Sequence, residues 1–330
     1  MSFYEGKRVL VTGGTGMIGS HLAEILVDQG ADVRINEFRT PAENIFSNEY
    51  LKKMEVIKTD LTEREGCEKA VRGMEVVFNL ATRITGVIGN IEHPVQMFTP
   101  NVLMQTNMIE AAHKENVDRY LYQSSACIYS SECEIPYEEK DGMKSIPDRT
   151  NEAYAWMKRM GEQQAIFYHR EFGMKIGISR PFNTYGPRDN FGGETSHVIP
   201  AMIVKAESRT DPFSIWGDGS STRDFVYVTD MAKGAMRVLE KHPKADPINI
   251  ASGREISTLD LAKIILKESG FVDAKLEVDD TKPGGQRRRC GSVEKMRNVL
   301  EFEPEVGLES GIAKTVRWFR ENKDKIKRYK

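Results

Sequence analysis

The chain has 330 residues, a length that fits about two domains, and its 39% hydrophobic and 29% charged residues are typical of a folded globular protein. Its 47 basic and 49 acidic side chains leave a net charge of -2, which excludes the broad positive field expected of a protein that binds nucleic acid or anionic lipid. No apolar run is long enough to span a membrane and the cysteines lack zinc-ligand spacing, so we expect a cytoplasmic protein with no membrane, nucleic-acid or metal partner.

Short apolar runs typical of strands alternate with amphipathic helical stretches through the first half of the chain. This alternation predicts βαβ units and an α/β fold with a parallel sheet covered on both faces. The predicted strands are Arg8–Thr12, Asp32–Asn36, Glu55–Lys58, Val76–Leu80, Arg119–Ser124 and Lys175–Arg180. The clearest predicted helices are Ile18–Gln29, Pro94–Glu115 and Asn151–Phe172. The last two are long enough to offer an exposed face for dimerisation.

The segment VLVTGGTGMIGSHL joins the first predicted strand to the first predicted helix. Glycines in such a loop let a pyrophosphate approach the helix N-terminus, and the last glycine lets helix and strand pack closely. The segment therefore predicts a dinucleotide site at Gly13, Gly16 and Gly19, with Met17 and Ile18 in the first helical turn. A tight turn without a ligand is the alternative interpretation.

Polar residues follow the next predicted strands at the sheet edge where ligands of open α/β sheets bind. Glu37 ends the second strand, where a carboxylate would accept hydrogen bonds from a ribose 2′-hydroxyl, and this favours NAD. Arg34 and Arg39 lie close by and would suit the 2′-phosphate of NADP instead, so both cofactors stay open. Four further cofactor candidates stand after the third and fourth strands: Asp60, Leu61, Leu80 and Ala81.

Tyr154 and Lys158 are four residues apart on a predicted helix and therefore share a face. A lysine cation beside a phenol is expected to lower the phenol pKa, so that Tyr154 exchanges a proton near neutral pH while hydride moves at the same carbon. Ser125 closes a strand about 30 residues earlier, where its hydroxyl could bond the reacting oxygen. A solvated pair on a helix is the alternative, but the glycine loop favours a catalytic role.

Beyond Arg180 the alternation loosens, and the segments NTYGPRDNFGG, WGDGSSTRDF and KPGGQRRR are typical of loops with special backbone demands. Later predicted strands are Phe225–Val228 and Pro247–Ile250, and later predicted helices are Thr229–Lys241, Thr258–Ser269 and Leu308–Lys327. They indicate a second region interleaved with the first. We assign residues 1–180 and 224–252 to a dinucleotide-binding domain, and residues 181–223 and 253–330 to a smaller α/β domain that binds the substrate.

The glycine loop, Ser125, Tyr154 and Lys158 together resemble the extended short-chain dehydrogenase/reductase family, whose members epimerise, dehydrate or reduce nucleotide sugars. The resemblance runs from about residue 7 to the last helix. It implies a Rossmann-type doubly wound parallel sheet, NAD or NADP as cofactor, a nucleotide-diphosphate sugar as substrate, and a homodimer joined through a four-helix bundle. It also implies further cofactor ligands at Asn101 and Pro181.

The same resemblance implies that several residues of the second half bind the sugar nucleotide. Asn183, in RPFNTYGP, and Arg223, after WGDG, look like ligands of the diphosphate, and an arginine fork suits that group. The loop TGVIGN resembles the glycine-containing sugar loop, so Gly86 is expected near the hexose. The basic cluster at residues 287–289 favours phosphate over nucleic acid, because no wider basic field surrounds it. The remaining implied substrate ligands are His197, Lys205, Trp216 and Arg288.

The segment SSACIYS narrows the choice among the reactions that the family catalyses. Nucleotide-sugar 4,6-dehydratases carry an Asp-Glu pair where this chain has Ala126 and Cys127, which disfavours dehydration. The segment instead resembles the GDP-mannose 3,5-epimerase and GDP-L-fucose synthase subfamilies, which place an acid/base cysteine at the position of Cys127. His197, in SHVIP, matches the proton-transfer histidine of the fucose-synthase pattern. The alternatives are a buried hydrophobic Cys127 and a His197 that caps the following helix.

The chemistry explains the use of these two groups. Oxidation of C4 of a hexose to a ketone acidifies the hydrogens at C3 and C5, and inversion then needs a base on one face and an acid on the other. A thiol and an imidazole both exchange protons near pH 7. We therefore expect an NAD-dependent nucleotide-sugar epimerase of the GDP-mannose 3,5-epimerase type. An NADPH-dependent reductase of the GDP-L-fucose synthase type, a C4 epimerase of the UDP-glucose type and a non-catalytic dinucleotide-binding protein stay open.

Overall fold

The computed structural model of the chain describes residues 2–84, 86–192, 196–279 and 286–326. Its strands are β1 (Arg8–Thr12), β2 (Asp32–Glu37), β3 (Met54–Lys58), β4 (Val76–Asn79), β5 (Arg119–Gln123), β6 (Lys175–Pro181), β7 (Asn183–Tyr185), β8 (Phe213–Trp216), β9 (Thr222–Tyr227), β10 (Ile248–Ile250), β11 (Glu255–Ser257), β12 (Leu276–Asp279) and β13 (Arg288–Arg289). Its α-helices are α1 (Met17–Asp28), α2 (Asn48–Leu51), α3 (Arg64–Val71), α4 (Gly86–Glu92), α5 (Pro94–Lys114), α6 (Glu152–Phe172), α7 (Val198–Glu207), α8 (Val228–Lys241), α9 (Thr258–Glu268), α10 (Glu294–Leu300) and α11 (Leu308–Ile326).

Seven strands form one parallel sheet in the order β10-β6-β5-β4-β1-β2-β3. The order reverses between β1 and β4, and this switch point is where open α/β sheets bind ligands. The predicted doubly wound Rossmann-type sheet is confirmed, and the first-half strands begin and end within one residue of their predicted bounds.

Successive residues of the central strands enter different cores, because side chains alternate across a sheet. On one face, Val9 and Val11 of β1 pack in a core with α1 and α8. On the other face, Leu10 packs in a core with α3, α5 and α6. Both faces are therefore covered by helices, which is why these strands are apolar almost throughout.

Apart from β10, the strands after Pro181 form smaller sheets, and a third core packs against them. β9 lies between β11 and β13 and also pairs with β7, while β8 pairs with β12. The domain boundary proposed between residues 223 and 224 falls inside β9, which joins the small sheet rather than the large one. The strand predicted to end at Val228 ends at Tyr227, because Val228 begins α8.

The sequence pattern did not predict some of the short elements. The described part of the TGVIGN segment is the helix α4 rather than a loop, and α7 follows directly from SHVIP. Within that segment Thr85, and elsewhere the stretch KPGG and the end of the basic tail, lie outside the described residues. Among the helices that are described, none carries a stretch long and apolar enough to cross a bilayer.

Candidate active site

The glycine loop between β1 and α1 has the shape of a ligand cradle. Gly13 adopts a φ of +63°, and a Cβ there would lie 3.1 Å from the Cα of Ala81. A Cβ at Gly19 would overlap the carbonyl oxygen of Gly13, so this helix packs on the loop only with glycine. Gly16 precedes Met17, the first residue of α1, and no side chain of the described residues caps that helix end. The loop therefore fits a dinucleotide whose pyrophosphate meets uncapped N–H groups.

Thr12 fastens the loop after β4 to the glycine loop. Its Oγ1 accepts hydrogen bonds from the backbone N–H groups of Leu80 and Ala81, each at 3.0 Å, and donates to Oδ1 of Asn79 at 2.8 Å. Sequence reasoning missed Thr12 and Asn79, since a threonine ending a strand looks ordinary. Leu80 and Ala81 are thus held beside the glycine loop.

Asn101 acts on the same loop from α5. Its Nδ2 donates to the carbonyl oxygen of Arg83 at 2.9 Å, and its Oδ1 accepts from the N–H of Arg83 at 2.8 Å. Both ends of the Asn101 side chain thus hold the loop backbone. Asn101 is therefore placed to shape the cofactor site rather than to extend into it.

Glu37 ends β2, and its Oε2 accepts a hydrogen bond from the N–H of Ala42 at 2.7 Å, which anchors the carboxylate at the sheet edge. Arg34 points elsewhere, since its Nε bonds Glu55 at 2.7 Å and its Nη1 bonds two carbonyl groups near α3. Arg39 is exposed. Of the two arginines considered for a 2′-phosphate, only Arg39 is left in reach of that role.

Two further cofactor candidates lie after β3. Asp60 accepts hydrogen bonds from the backbone N–H and hydroxyl of Thr62 at 2.9 and 2.7 Å, which forms the turn that leads to α3. Leu61 is 3% exposed and packs in the core under α3. Pro181 ends β6 at the same carboxyl edge. The side chain of Leu61 therefore has a packing role.

Lys158 is deeply buried beneath the loop after β4. Its Nζ donates to the carbonyl oxygen of Gln123 at 2.6 Å and to Oγ1 of Thr82 at 3.1 Å, and it lies 5.6 Å from the ring centre of Tyr154. Burial lowers the pKa of Lys158 to about 7, against the opposing charges of Cys127 and Glu162. The predicted Tyr154 and Lys158 pair is therefore assembled, with the lysine aimed at the site.

The pKa of Tyr154 is set by burial rather than by Lys158. Burial raises the pKa of Tyr154 and the charge of Cys127 raises it further, while a hydrogen bond with Ser125 lowers it. The expectation of a lowered phenol pKa is thus wrong for the chain without a ligand, because desolvation penalises both charged forms. A positively charged group bound at the site would favour the ionised form of Tyr154.

Ser125 and Cys127 complete this part of the site. Ser125 begins a 3-10 turn at Ala126–Ile128, where its Oγ accepts a hydrogen bond from the N–H of Cys127 at 3.1 Å. Cys127 is half-buried, and its charge raises the pKa of both Tyr154 and Lys158. The cysteine therefore lies in the same site as the Tyr154 and Lys158 pair and is not a buried hydrophobic residue.

β9 and β13 bring two arginines to Cys127. Arg223 lies opposite Arg289 in the strand register, and Nη1 of Arg289 lies 3.5 Å from Sγ of Cys127. Burial lowers the pKa of Arg223 to about 10, and the charge of Arg289 adds to this effect. Arg288 is instead exposed and bonds Glu255, with its Nε at 3.1 Å from Oε1. The arginine that this strand presents to the site is therefore Arg289, which sequence reasoning did not single out.

A buried ion pair supports the site from behind. Arg180 and Glu162 are both nearly inaccessible, and Nη2 of Arg180 lies 2.7 Å from Oε2 of Glu162. Glu162 also accepts a hydrogen bond from Ser124, and Arg180 donates to the hydroxyl of Tyr129 at 2.9 Å. Sequence reasoning missed this pair, although Glu162 shares a helix face with Lys158 at a spacing of four residues. It positions the strand end from which Ser125 projects.

The other predicted substrate residues lie on the smaller sheets and α7. Nδ2 of Asn183 donates to the carbonyl oxygen of Asp224 at 2.8 Å, which places Asn183 beside Arg223. Lys205 donates to a carbonyl oxygen of β8 at 3.0 Å, and Trp216 at the end of β8 is 56% exposed. Gly86 begins α4 with a φ of +72°.

His197 stands immediately before α7 without capping it by a side-chain hydrogen bond. Its Nδ1 lies 3.2 Å from Oδ1 of the buried Asp189, and this hydrogen bond raises the pKa of His197. The helix-capping alternative is wrong for the described residues. No contact within the described ranges joins His197 to Cys127, so a substrate would have to bridge the two groups.

Taken together, the cradle, the Tyr154 and Lys158 pair and the buried serine define a dinucleotide-dependent enzyme site on a doubly wound sheet. The chain belongs to the NAD-dependent epimerase/dehydratase family, whose model matches residues 9–251. It is an enzyme of that NAD(P)-dependent family.

Relatives named for different activities align with nearly the whole of this chain. A GDP-L-fucose synthase of Sinorhizobium fredii is 31% identical, with 98% of each chain covered. A GDP-mannose 3,5-epimerase of Arabidopsis thaliana is 32% identical over 98% of this chain and 85% of its own length. Among solved structures, an epimerase of Methanothermobacter thermautotrophicus is 31% identical with a TM-score of 0.89, covering 98% of this chain and 95% of its own.

Proposed function

We propose that this chain is an NAD-dependent epimerase of a nucleotide-linked hexose, which oxidises C4 transiently and exchanges protons at the neighbouring carbons C3 and C5. The observation that carries the proposal is the position of Cys127. It lies two residues after Ser125 in the site of Tyr154 and Lys158, where a plain dehydrogenase has no use for a second proton-transfer group.

Tyr154 takes the proton of the C4 hydroxyl during oxidation and returns it during reduction. When bound, NAD supplies the reversible hydride acceptor at C4, and its oxidised ring adds the positive charge that favours the phenolate. Ser125 bonds the same sugar oxygen, and Lys158 holds the charge that develops there. Lys158 keeps its position through Gln123 and Thr82.

Cys127 and His197 move the protons at C3 and C5. A C–H bond beside the ketone breaks, its electron pair stays on the sugar as an enolate, and the proton passes to the base on one face. An acid on the other face returns a proton to the carbon, and the configuration inverts. Asp189 favours the protonated imidazole of His197, which suits it to the acid role.

The diphosphate of the substrate binds between β7 and β9. Asn183 and Arg223 lie side by side there, and the half-buried guanidinium of Arg223 has a pKa lowered by desolvation. Desolvation strengthens a charge-assisted bond to phosphate oxygens. The remaining proposed substrate ligands are Gly86, Lys205, Trp216 and, if it leaves Glu255, Arg288.

Deuterium exchange tests the reaction. The enzyme with NAD is incubated with GDP-mannose, and in parallel with UDP-glucose, in deuterated water, and the recovered sugars are examined by NMR and mass spectrometry. We expect deuterium at C3 and C5 of the inverted product of one of them. Inversion at C4 without deuterium at C3 or C5 would contradict the proposal and leave a C4 epimerase. Cys127→Ser should slow the exchange more than it slows C4 oxidation, whereas Cys133→Ser should change neither.

A net reductase is the second candidate, favoured by the His197 and Asp189 pair, because the histidine pattern matches the fucose-synthase type. Such an enzyme takes a 4-keto-6-deoxy sugar and consumes one NADPH for each sugar. Stoichiometric loss of NADPH absorbance with that substrate, and none with the epimerase substrates, would decide for the reductase.

The homodimer is proposed through α5 and α6. A groove of about 720 Å³ runs along them, and its lining includes Val95 and Trp156, which are 71% and 43% exposed. Leu103 on α5 and Phe167 on α6 are also exposed, so both long helices present apolar side chains on their outer faces. A second copy would bury them as a four-helix bundle. Val95→Glu should convert a dimer to a monomer in analytical ultracentrifugation, and an unchanged mass would contradict this interface.

A further inference from the structure

Arg289 is a buried cation at hydrogen-bond distance from the sulfur of Cys127. Its Nη1 lies 3.5 Å from Sγ of Cys127, and its Nε donates to Oε1 of Gln286 at 2.9 Å. The residue is 9% exposed. Arg288, its neighbour on β13, points to the surface and pairs with Glu255. Two adjacent arginines therefore have opposite environments, and only one of them faces the site.

Several basic side chains of the described residues gather around Cys127. Arg223 stands opposite Arg289, and Lys158 is close enough for the sulfur charge to affect its pKa. Among residues 2–84, 86–192, 196–279 and 286–326, no carboxylate lies within ion-pair distance of Arg289. The Nε2 of the buried Gln286 also has no hydrogen-bond partner within those ranges. A buried guanidinium without a counter-ion is costly, so an anion is expected beside it.

We propose that Arg289 holds the side chain of Cys127 as a thiolate and positions it as the base of the proposed epimerisation. A guanidinium at hydrogen-bond distance from sulfur stabilises the charged form, which is the form that accepts a proton. The thiolate takes the proton from the carbon beside the ketone. The electron pair of the C–H bond remains on the sugar as an enolate, and an S–H bond forms. Arg289 acts through Cys127 and is a positioning residue.

Alkylation by iodoacetamide in the full chain without substrate tests this inference, because the thiolate is the reactive form. Peptide mass spectrometry follows each cysteine separately, and the half-buried Cys133 is the internal reference. In the wild-type chain we expect the rate at Cys127 to change little between pH 7 and 9. An ordinary thiol with a pKa of about 8.5 would show a rise of about 25-fold over that range. Such a rise at Cys127 would overturn the proposal without any variant.

Variants of Arg289 distinguish an effect of its charge on Cys127 from a purely structural effect. Arg289→Gln should slow alkylation of Cys127 at pH 7 by about tenfold and restore the steep pH profile, while Arg289→Lys should keep the rate within about threefold. The matched control is Arg254→Gln, which removes the same charge from an exposed arginine outside the proposed site and should leave Cys127 unaffected. Unchanged alkylation in Arg289→Gln, with weaker binding of GDP or UDP, would make Arg289 a phosphate ligand only and would contradict the inference.

The inference rests on the proposed function, but a failure of the role of Arg289 can be distinguished from a failure of the proposed epimerisation. If Cys127 is a thiolate held by Arg289 and no deuterium enters C3 or C5 of any sugar, the thiolate stands and the epimerisation fails. If deuterium enters and the alkylation profile is that of an ordinary thiol, the epimerisation stands and the role of Arg289 fails.

Discussion

The large parallel sheet and the smaller sheets hold their site residues in different ways. Lys158 is held by a backbone carbonyl of the large sheet and by a loop that Thr12 fastens to the glycine cradle. Arg289 and His197 are instead held by side-chain partners, Gln286 and Asp189, in short strands and loops. Lys158 therefore depends on backbone positions, whereas Arg289 and His197 depend on side-chain pairs.

This difference indicates where each half of the site tolerates change. Backbone positions set by seven paired strands hardly respond to one substitution, whereas a side-chain pair is lost with either partner. Substitutions in the large sheet region should therefore act on chemistry or on global stability. Substitutions in the small-sheet region should act on pH dependence and specificity.

The largest expected effect comes from Tyr154→Phe, which removes the proton carrier for C4 and leaves the cradle intact. Turnover should fall by about a thousandfold, in the range found for loss of a general acid/base. Binding of NAD, measured by fluorescence titration, should stay within about threefold. Tyr168→Phe near the other end of α6 is the control and should keep normal turnover. Near-normal activity of Tyr154→Phe would contradict the proposal that the large-sheet region carries the chemistry.

The next effect is on stability. Glu162→Gln leaves Arg180 buried without its carboxylate, which should lower the free energy of unfolding by about 3 kcal/mol in urea denaturation. The small-sheet region offers the control Glu207→Gln, which breaks a partly exposed pair with Arg320 and should cost about 1 kcal/mol or less. Equal losses in the two variants would remove the contrast between the regions.

Cofactor preference gives a smaller effect. Glu37→Arg replaces the carboxylate proposed to bind the ribose 2′-hydroxyl by a group that pairs with a 2′-phosphate. The ratio of NAD to NADP affinity should fall by about tenfold or more, as two dissociation constants measured by titration. Glu43→Arg in the same loop is the control. An unchanged ratio would show that Glu37 does not contact the ribose and has only the structural role of accepting the hydrogen bond from Ala42.

The smallest effect is expected from Asp189→Asn. Asp189 raises the pKa of His197, so the protonated imidazole persists to a higher pH than usual, and activity that needs it falls as pH rises through the raised pKa. The substitution removes this effect, so the alkaline limb of the rate profile should move to lower pH. Turnover at the wild-type optimum should fall by about three- to tenfold, the worth of one hydrogen bond. An unchanged limb would exclude His197 as the acid.

Much of the cofactor half was predictable from local pattern. The strands of the large sheet, the glycine cradle and the Tyr154 and Lys158 spacing all follow from periodicity and from the backbone demands of glycine. The signal failed where an element was too short to show a period. The helix α4 replaced an expected loop, and β13 is a strand of two residues.

The sequence by itself determined the doubly wound sheet, the glycine loop after β1 and the proximity of Tyr154 and Lys158, because near-neighbour spacing along the chain encodes them. Only the tertiary structure decided that Arg289 rather than Arg288 faces Cys127, since adjacent strand residues point to opposite sides and the register with β9 sets which side is the site. It also decided that burial raises the pKa of Tyr154, because desolvation depends on everything that surrounds a group.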